Sequence, residues 1–213
     1  MKTNFLLLSI LICVKSSSLP LKEIRREILA HHNYCRAMHQ VGKLERDKEL
    51  EKIAQKYSEK LAADNKGLIH SDTEYGENLH SCWSSRGICV SGKSASESWY
   101  NEISSYDFTK PGFSSGTGHF TQLVWKGSQK VGCGAACSSD NNCYVTCNYS
   151  PAGNFLNQFD TNVLPKTTIE ESYEHFYEEE ADNFEDEEDE ENNAMYLTKN
   201  IIQSIIYVLI LLI

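Results

Sequence analysis

Val131-Gly132-Cys133-Gly134-Ala135-Ala136-Cys137 and Cys143-Tyr144-Val145-Thr146-Cys147-Asn148-Tyr149 decide the fold, because one register serves all four of their cysteines. The two runs read as strands on either side of a turn from Ser138 to Asn142, with apolar and small residues alternating along each. If Cys137 faces Cys143, four steps back along one strand and four forward along the other set Cys133 opposite Cys147. Directly opposed Cα atoms in an antiparallel pair lie about 4.5–5.5 Å apart, inside the range that a disulfide accepts. The predicted bonds are therefore Cys133–Cys147 and Cys137–Cys143. Cys82 and Cys89, around Gly87, close a small loop by elimination.

Eight cysteines occur in the 213 residues, and Cys13 lies in a segment expected to be removed. Residues 1–18 carry Lys2, an apolar run from Phe5 to Val14 and then Ser16, Ser17 and Ser18, the pattern of a secretory signal peptide. The run is too short to span a bilayer, which takes about 20 residues. An oxidising compartment favours pairing of the remaining cysteines, and there is no Cys-x-x-Cys to suggest that they hold zinc. Cys35 is left over. It sits on the helical stripe Ile24, Ile28, His31, Cys35, Met38, which reads as a buried free thiol without a catalytic role in preference to an intermolecular disulfide.

The stripe predicts a first helix from about Leu21 to near Gln40. Asp47 can cap a second, with Leu50, Ala54, Tyr57 and Leu61 on its buried face and Gly67 just past its end. Two antiparallel helices are the expected result. Ser94-Ala95-Ser96-Glu97 has the spacing of a capping box opening a third helix through Trp99, Ile103 and Tyr106.

Residues 19–165 hold 16 acidic and 16 basic side chains, while residues 166–200 hold 14 acidic and two basic ones, so the net charge of −10 belongs to the tail. A neutral domain without a basic patch gives no electrostatic case for nucleic acid as a partner. The acidic run of 166–193 reads as a solvated, disordered stalk, although Tyr173, Phe176, Tyr177 and Phe184 within it also suit an acidic peptide that docks on a partner. Residues 194–213 end in the apolar stretch Ile201–Ile213. With small residues at Asn192, Asn193 and Ala194 this reads as a GPI-attachment signal, the alternative being a transmembrane anchor from about Tyr196. Either way the membrane is a partner and the domain is expected outside the cell, tethered to its surface.

Gly118-His119-Phe120-Thr121-Gln122-Leu123-Val124-Trp125-Lys126-Gly127-Ser128 and Tyr144-Val145-Thr146-Cys147-Asn148-Tyr149-Ser150-Pro151-Ala152-Gly153-Asn154-Phe155 resemble the two signature motifs of the CAP superfamily, named for cysteine-rich secretory proteins, antigen 5 and pathogenesis-related-1 proteins. With His32-Asn33, Gly76-Glu77-Asn78-Leu79 and Trp99-Tyr100-Asn101-Glu102 in order, the resemblance covers about residues 21–165. It implies an α+β fold, a three-layer α/β/α sandwich (the SCP fold) with an antiparallel central sheet, over residues 19–165. Residues Tyr106–Phe113 followed by Ser115–Phe120 look like the Golgi-associated pathogenesis-related branch, whereas the signal peptide and hairpin cysteines look like the secreted venom-allergen-like members.

The family keeps two histidines and two glutamates around a central cleft, and the matching positions are His70, Glu77, Glu102 and His119. The resemblance implies a divalent-metal site, zinc first, with His70 and His119 as ligands and Glu77 and Glu102 as further ligands or as acceptors that orient the imidazoles. Such a site weakens below about pH 6.5, where unperturbed imidazoles protonate. The plainer reading is that these four side chains knit the loops over the sandwich. Tyr106, Phe108 and Phe113 repeat the loop pattern that the family associates with sterol binding and with caveolin; the same rings equally suit packing beneath their loop. Fatty-acid binding between helices is a further family property.

The function expected is an extracellular, non-enzymatic binder of small apolar ligands, sterol or fatty acid. Its alternatives are a surface-tethered protein-interaction or immunomodulatory module recognised by a receptor and, third, a metal-dependent hydrolase. No His-Glu-x-x-His helix is present and no nucleophile has an assigned base, so no residue is assigned a catalytic role. Asn148-Tyr149-Ser150 matches a glycosylation acceptor but lies in the strand motif, and it is expected to be unmodified.

Overall fold

The computed structural model describes residues 19–181 and Phe184. The signal peptide expected over 1–18 and the tail of 194–213 lie outside the described residues, as does most of the acidic run after Ala181. Among the described residues no helix is long and apolar enough to cross a membrane.

The hairpin is the centre of the molecule. β3 (Lys130–Cys137) and β4 (Asn142–Ser150) pair antiparallel with Cys133 opposite Cys147 and Cys137 opposite Cys143. Both pairs are disulfide-bonded, and Cys82–Cys89 is the third bond. β2 (Gly76–Trp83) adds antiparallel to the other edge of β4. The sheet order is β1-β3-β4-β2. β1 (Glu45–Arg46) is a two-residue strand that joins β3 in parallel, so the sheet is mixed at one edge where a purely antiparallel one was expected.

Alternation along β3 sets the layers, since neighbouring residues of a strand point to opposite faces. On one face Gly132 and Gly134 admit α2 (Lys48–Asp64) so closely that a Cβ on Gly134 would stand 2.3 Å from the Gln55 backbone. On the other, Val131, Cys133 and Ala135 join the main core with Ile24, Ile28, Trp99 and Phe120, contributed by α1 (Leu21–Met38), α3 (Gly92–Tyr100) and α4 (Gly118–Leu123). The first two helices are therefore not a packed antiparallel pair. The sheet lies between them, because the small face of β3 attracts α2 and its bulkier face attracts α1. A short α5 (Phe159–Asn162) packs the Phe159 ring on Trp125.

Local signals explain the helix ends unevenly. Asp47 caps α2 as expected, accepting from the Glu49 and Leu50 amides, and Asn65 closes it in the left-handed region. The capping box of α3 is at Ser91 and Ser94, one turn earlier than expected. The serine at Ser94 supplies the reciprocal bond, so Glu97 does not. After Tyr100 the chain tightens into a 3₁₀ turn, Asn101–Ser105, which carries Glu102.

The stalk expectation is corrected over its described part. After Pro165 the chain turns back along α1, the Thr167 amide bonding to the Met38 carbonyl, and forms α6 (Tyr173–Glu179), capped by Ser172. Phe176 and Phe184 are buried. Composition alone pointed to disorder, but these two rings give the acidic segment enough apolar area to dock.

Candidate functional site

Two imidazole–carboxylate pairs straddle β2, the edge strand of the sheet. Glu77, at the start of β2, accepts from His70 Nδ1 at 2.6 Å and from the Ser71 amide at 3.0 Å, and the Ser71 hydroxyl donates to its second oxygen. Glu102 accepts from His119 Nδ1 at 2.7 Å, while its other oxygen takes the His119 and Phe120 amides at the start of α4, 2.9 and 3.1 Å away. A carboxylate is well placed against those first-turn amides. Residues 77 and 78 point to opposite faces of β2, and Asn78 Nδ2 donates to the His119 carbonyl at 3.0 Å. The second pair thus sits on the α3–α4 side and the first on the α2 side of the same strand.

Each carboxylate fixes a ring through Nδ1, which leaves Nε2 as the nitrogen with a lone pair to offer. This is the arrangement in which a carboxylate orients a metal-binding histidine, so the donor chemistry of His70 and His119 fits a divalent ion. Among the described residues the group of three or more closely spaced ligating atoms is Cys82, Cys89 and Cys143. Their sulfurs are consumed in disulfides. Glu77 and Glu102 do not add a third closely spaced ligand to the two rings. The two rings stand on opposite sides of β2 and, among the described residues, no such group joins them, so a metal would be offered one imidazole on each side, His70 Nε2 or His119 Nε2, and when bound it would supply Lewis acidity.

A third imidazole lies alongside that the sequence reading did not single out. His80 bonds through Nδ1 to the Ser98 hydroxyl at 3.0 Å and meets Trp99 edge-on, while His119 stacks on the same indole. Burial, and secondarily His119, lowers its pKa. The signal that could have found it was the strand period: His80 is two residues from Asn78 and shares its face.

The aromatic loop divides. Tyr106 is buried and Phe108 half-buried, their rings packed on one another and on Phe120, with Phe108 also stacked on His39. Phe113 alone of the three is open, 56 % exposed, lying over Gly118. The three rings do not form one apolar face for a ligand. Cys35 is free and buried, its Sγ 3.4 Å from His31 Nδ1, and burial pushes its thiol pKa up, which keeps it unreactive. Asn148 is buried in β4 with Nδ2 turned to the Gly76 carbonyl.

The sequence match is decisive at this point: the family description "Cysteine-rich secretory protein family" (CAP) fits residues 29–149. The chain belongs to the CAP family. Over 150 residues it is 44 % identical to the Golgi-associated plant pathogenesis-related protein 1 of Homo sapiens, covering 68 % of this chain and 94 % of that protein. Pathogenesis-related protein 1 of Arabidopsis thaliana is 35 % identical over 133 residues, 62 % of this chain and 80 % of that protein. Protein PRY2 of Saccharomyces cerevisiae is 41 % identical over 136 residues, but the match spans only 39 % of its length. Among solved structures, NaASP2 with Zn2+ superposes with a TM-score of 0.53 at 25 % identity, covering 73 % of this chain and 94 % of that one. BmVAL-1 superposes at 0.56 with 22 % identity, covering 73 % and 88 %, and shares the fold. The CAP domain is therefore an α+β sandwich in this chain as in its neighbours, and the imidazole–carboxylate pairs lie at one edge of its sheet.

On the α2 side of that edge the CAP domain has an open cleft of about 350 Å³, lined by Ile53, Lys56, Tyr57, Lys60, Ser71 and Thr73. α2 supplies four of these at helical spacing and the loop before β2 the other two. Tyr57 holds the loop down by donating to the Ile69 carbonyl at 2.6 Å, and Ser71 ties it to Glu77. Lys60 pairs with Asp64 at 3.3 Å, whereas the exposed Lys56 stands over the cleft.

Proposed function

We propose that this CAP domain is a non-enzymatic extracellular binder of a small apolar ligand with an anionic head, a fatty acid rather than a sterol. The cleft between α2 and residues 68–74 carries the reading. Its walls are mainly apolar, and its volume lies at the low end of the roughly 300–1,000 Å³ of small-molecule sites. That suits one alkyl chain better than a fused ring system. Lys56 and Lys60 give the carboxylate a cationic rim. The burial of Tyr106 and Phe108 removes the aromatic face on which a sterol would lie. A divalent ion on a carboxylate-oriented imidazole, His70 or His119, belongs to the same reading, and the similar NaASP2, solved with Zn2+, supports it.

Titration calorimetry with decanoate, and separately with cholesterol in a solubilised form, tests this on the purified chain. Saturable decanoate binding, weakened about tenfold or more in Lys56→Ala/Lys60→Ala and unchanged in Tyr106→Ala/Phe108→Ala/Phe113→Ala, is the expected result. Cholesterol binding lost in the triple variant, with no decanoate binding, would return the site to the aromatic loop.

A protein-recognition role is the second reading, favoured by Phe113, Phe155 and Leu156. These side chains are 56, 51 and 74 % exposed. Asn154, next to Phe155, bonds to the Gly118 carbonyl, and Phe113 lies over the same glycine. Exposed apolar residues gathered in this way mark contact surfaces. Loss of saturable cell-surface binding in Phe155→Ser/Leu156→Ser would support it.

A further inference from the structure

α6 lies beyond the last disulfide-bonded cysteine of the described residues and is held to the domain through side chains. It has seven residues, too few to persist in water without a surface to lie on. Among the described residues the disulfides fall between Cys82 and Cys147, and none of these ties α6 to the domain. What holds it is a row of side-chain contacts along α1 and β1. Phe176 is buried against Tyr34, and Tyr173 packs on Tyr34 and His31. The Arg26 guanidinium lies 3.8 Å over the Tyr177 ring and bonds to the Tyr177 carbonyl, while the Tyr177 hydroxyl donates to Glu23 at 2.5 Å. Lys43 pairs with Glu179, and Asn33 donates to Glu180 at 3.0 Å. Beyond α6, Phe184 is buried and lines a small cavity with Ile28, Leu29, Val131, Arg25 and Arg46, the two arginines paired with Glu51 and the Arg46 guanidinium 4.0 Å over the Phe184 ring.

The pattern is that of a receptor groove and a peptide: cations along one side, acidic residues facing them, and aromatic anchors in pockets. We infer that the α1–β1 face is a peptide-docking surface for acidic, aromatic segments, and that residues 173–181 with Phe184 are its resident occupant, bound in cis and exchangeable. The occupant folds as it docks, so its release costs far less than unfolding the disulfide-braced sheet. Release uncovers an apolar-floored groove, edged by Arg26 and Lys43 with Glu23 beside them, that accepts a peptide of the same chemistry in trans. The α1 face is on the far side of the sheet from the cleft beside α2, so this inference stands independently of the ligand proposed above.

The test uses the full chain and a fluorescent synthetic peptide of residues 169–187. Wild type, its groove filled, should bind the peptide at least about tenfold more weakly than Phe176→Ser/Phe184→Ser, whose own segment cannot anchor. Binding to the double variant should weaken further with Arg26→Ala/Lys43→Ala, and in 0.5 M salt, where surface charges are screened. A scrambled peptide of equal composition should not compete. Equal binding to wild type and double variant, or competition by the scrambled peptide, overturns the inference. So does no binding to a double variant that keeps its circular dichroism and melting transition. If the double variant does not fold, amide exchange of the wild-type chain decides: exchange at 173–180 faster than in β3 and β4, and accelerated by salt, supports an exchangeable occupant. Exchange of both at one common rate refutes it.

Discussion

His31 and His32 sit side by side in α1 and are both buried, His32 completely. The Ile28 carbonyl, 2.8 Å from His32 Nδ1, can only accept, so Nδ1 carries the proton and Nε2 accepts from the Tyr149 hydroxyl at 2.7 Å. That hydroxyl in turn accepts from Asn78 Nδ2. The network is complete with a neutral ring and has no place for a second proton. Burial, reinforced by His31, lowers the His32 pKa to about 3; burial, reinforced by Lys93, lowers that of His31 to about 4. A histidine whose folded value is depressed contributes stability that is fully present above its unfolded value near 6.5 and is lost as pH falls towards the folded value. Between pH 7 and 5 the unfolded chain takes up these protons and the folded chain does not. Each ring therefore costs about 2 kcal/mol over that interval, about 4 kcal/mol for the two. Urea unfolding at pH 7, 6 and 5, with disulfides intact, should show the midpoint falling at each step. In His31→Gln about 2 kcal/mol of the fall should disappear, because the proton-binding difference of His31 is gone while those of His32, His39 and His80 remain. A wild-type stability that is flat from pH 7 to 5, or a His31→Gln variant parallel to wild type across the range, would refute the argument that buried neutral imidazoles set the acid limit.

Two further outcomes follow from close contacts. Gly134→Ala drives a Cβ into the backbone of Gln55 and, with no flexible side chain to yield, should lower stability by about 1–3 kcal/mol or more, read as a fall in melting temperature. Glu102→Gln keeps the size of the side chain but weakens its hold on His119 and the α4 amides. Zinc affinity, measured by competition with a chromogenic chelator, should drop about 10–100-fold, while the melting temperature of the metal-free chain changes little.

The hairpin register was legible in the residues alone because side-chain alternation and disulfide reach are local rules, and four cysteines satisfied both at once. The start of α2 was legible for the same reason: Asp47 bonds to amides two and three residues away. At α3 the local rule was right but two serine-led boxes competed, and packing of Gly92 against the Ile24 carbonyl, a contact made across the fold, accompanies the earlier one. The pairing of His70 with Glu77 and of His119 with Glu102 could be expected only from family resemblance, since no local spacing links them. The membership of His80 in the same neighbourhood, the cleft on α2 and the burial of Tyr106 and Phe108 were decided by the tertiary structure. So was the fate of the acidic segment: its composition fixed the charge, but whether two phenylalanines could bury depended on a groove made by α1 and β1, more than 100 residues away in the chain. Sequence by itself determined what lies within one turn or one strand pair; burial is a property of the surface a side chain meets, and only the assembled sandwich supplies that surface.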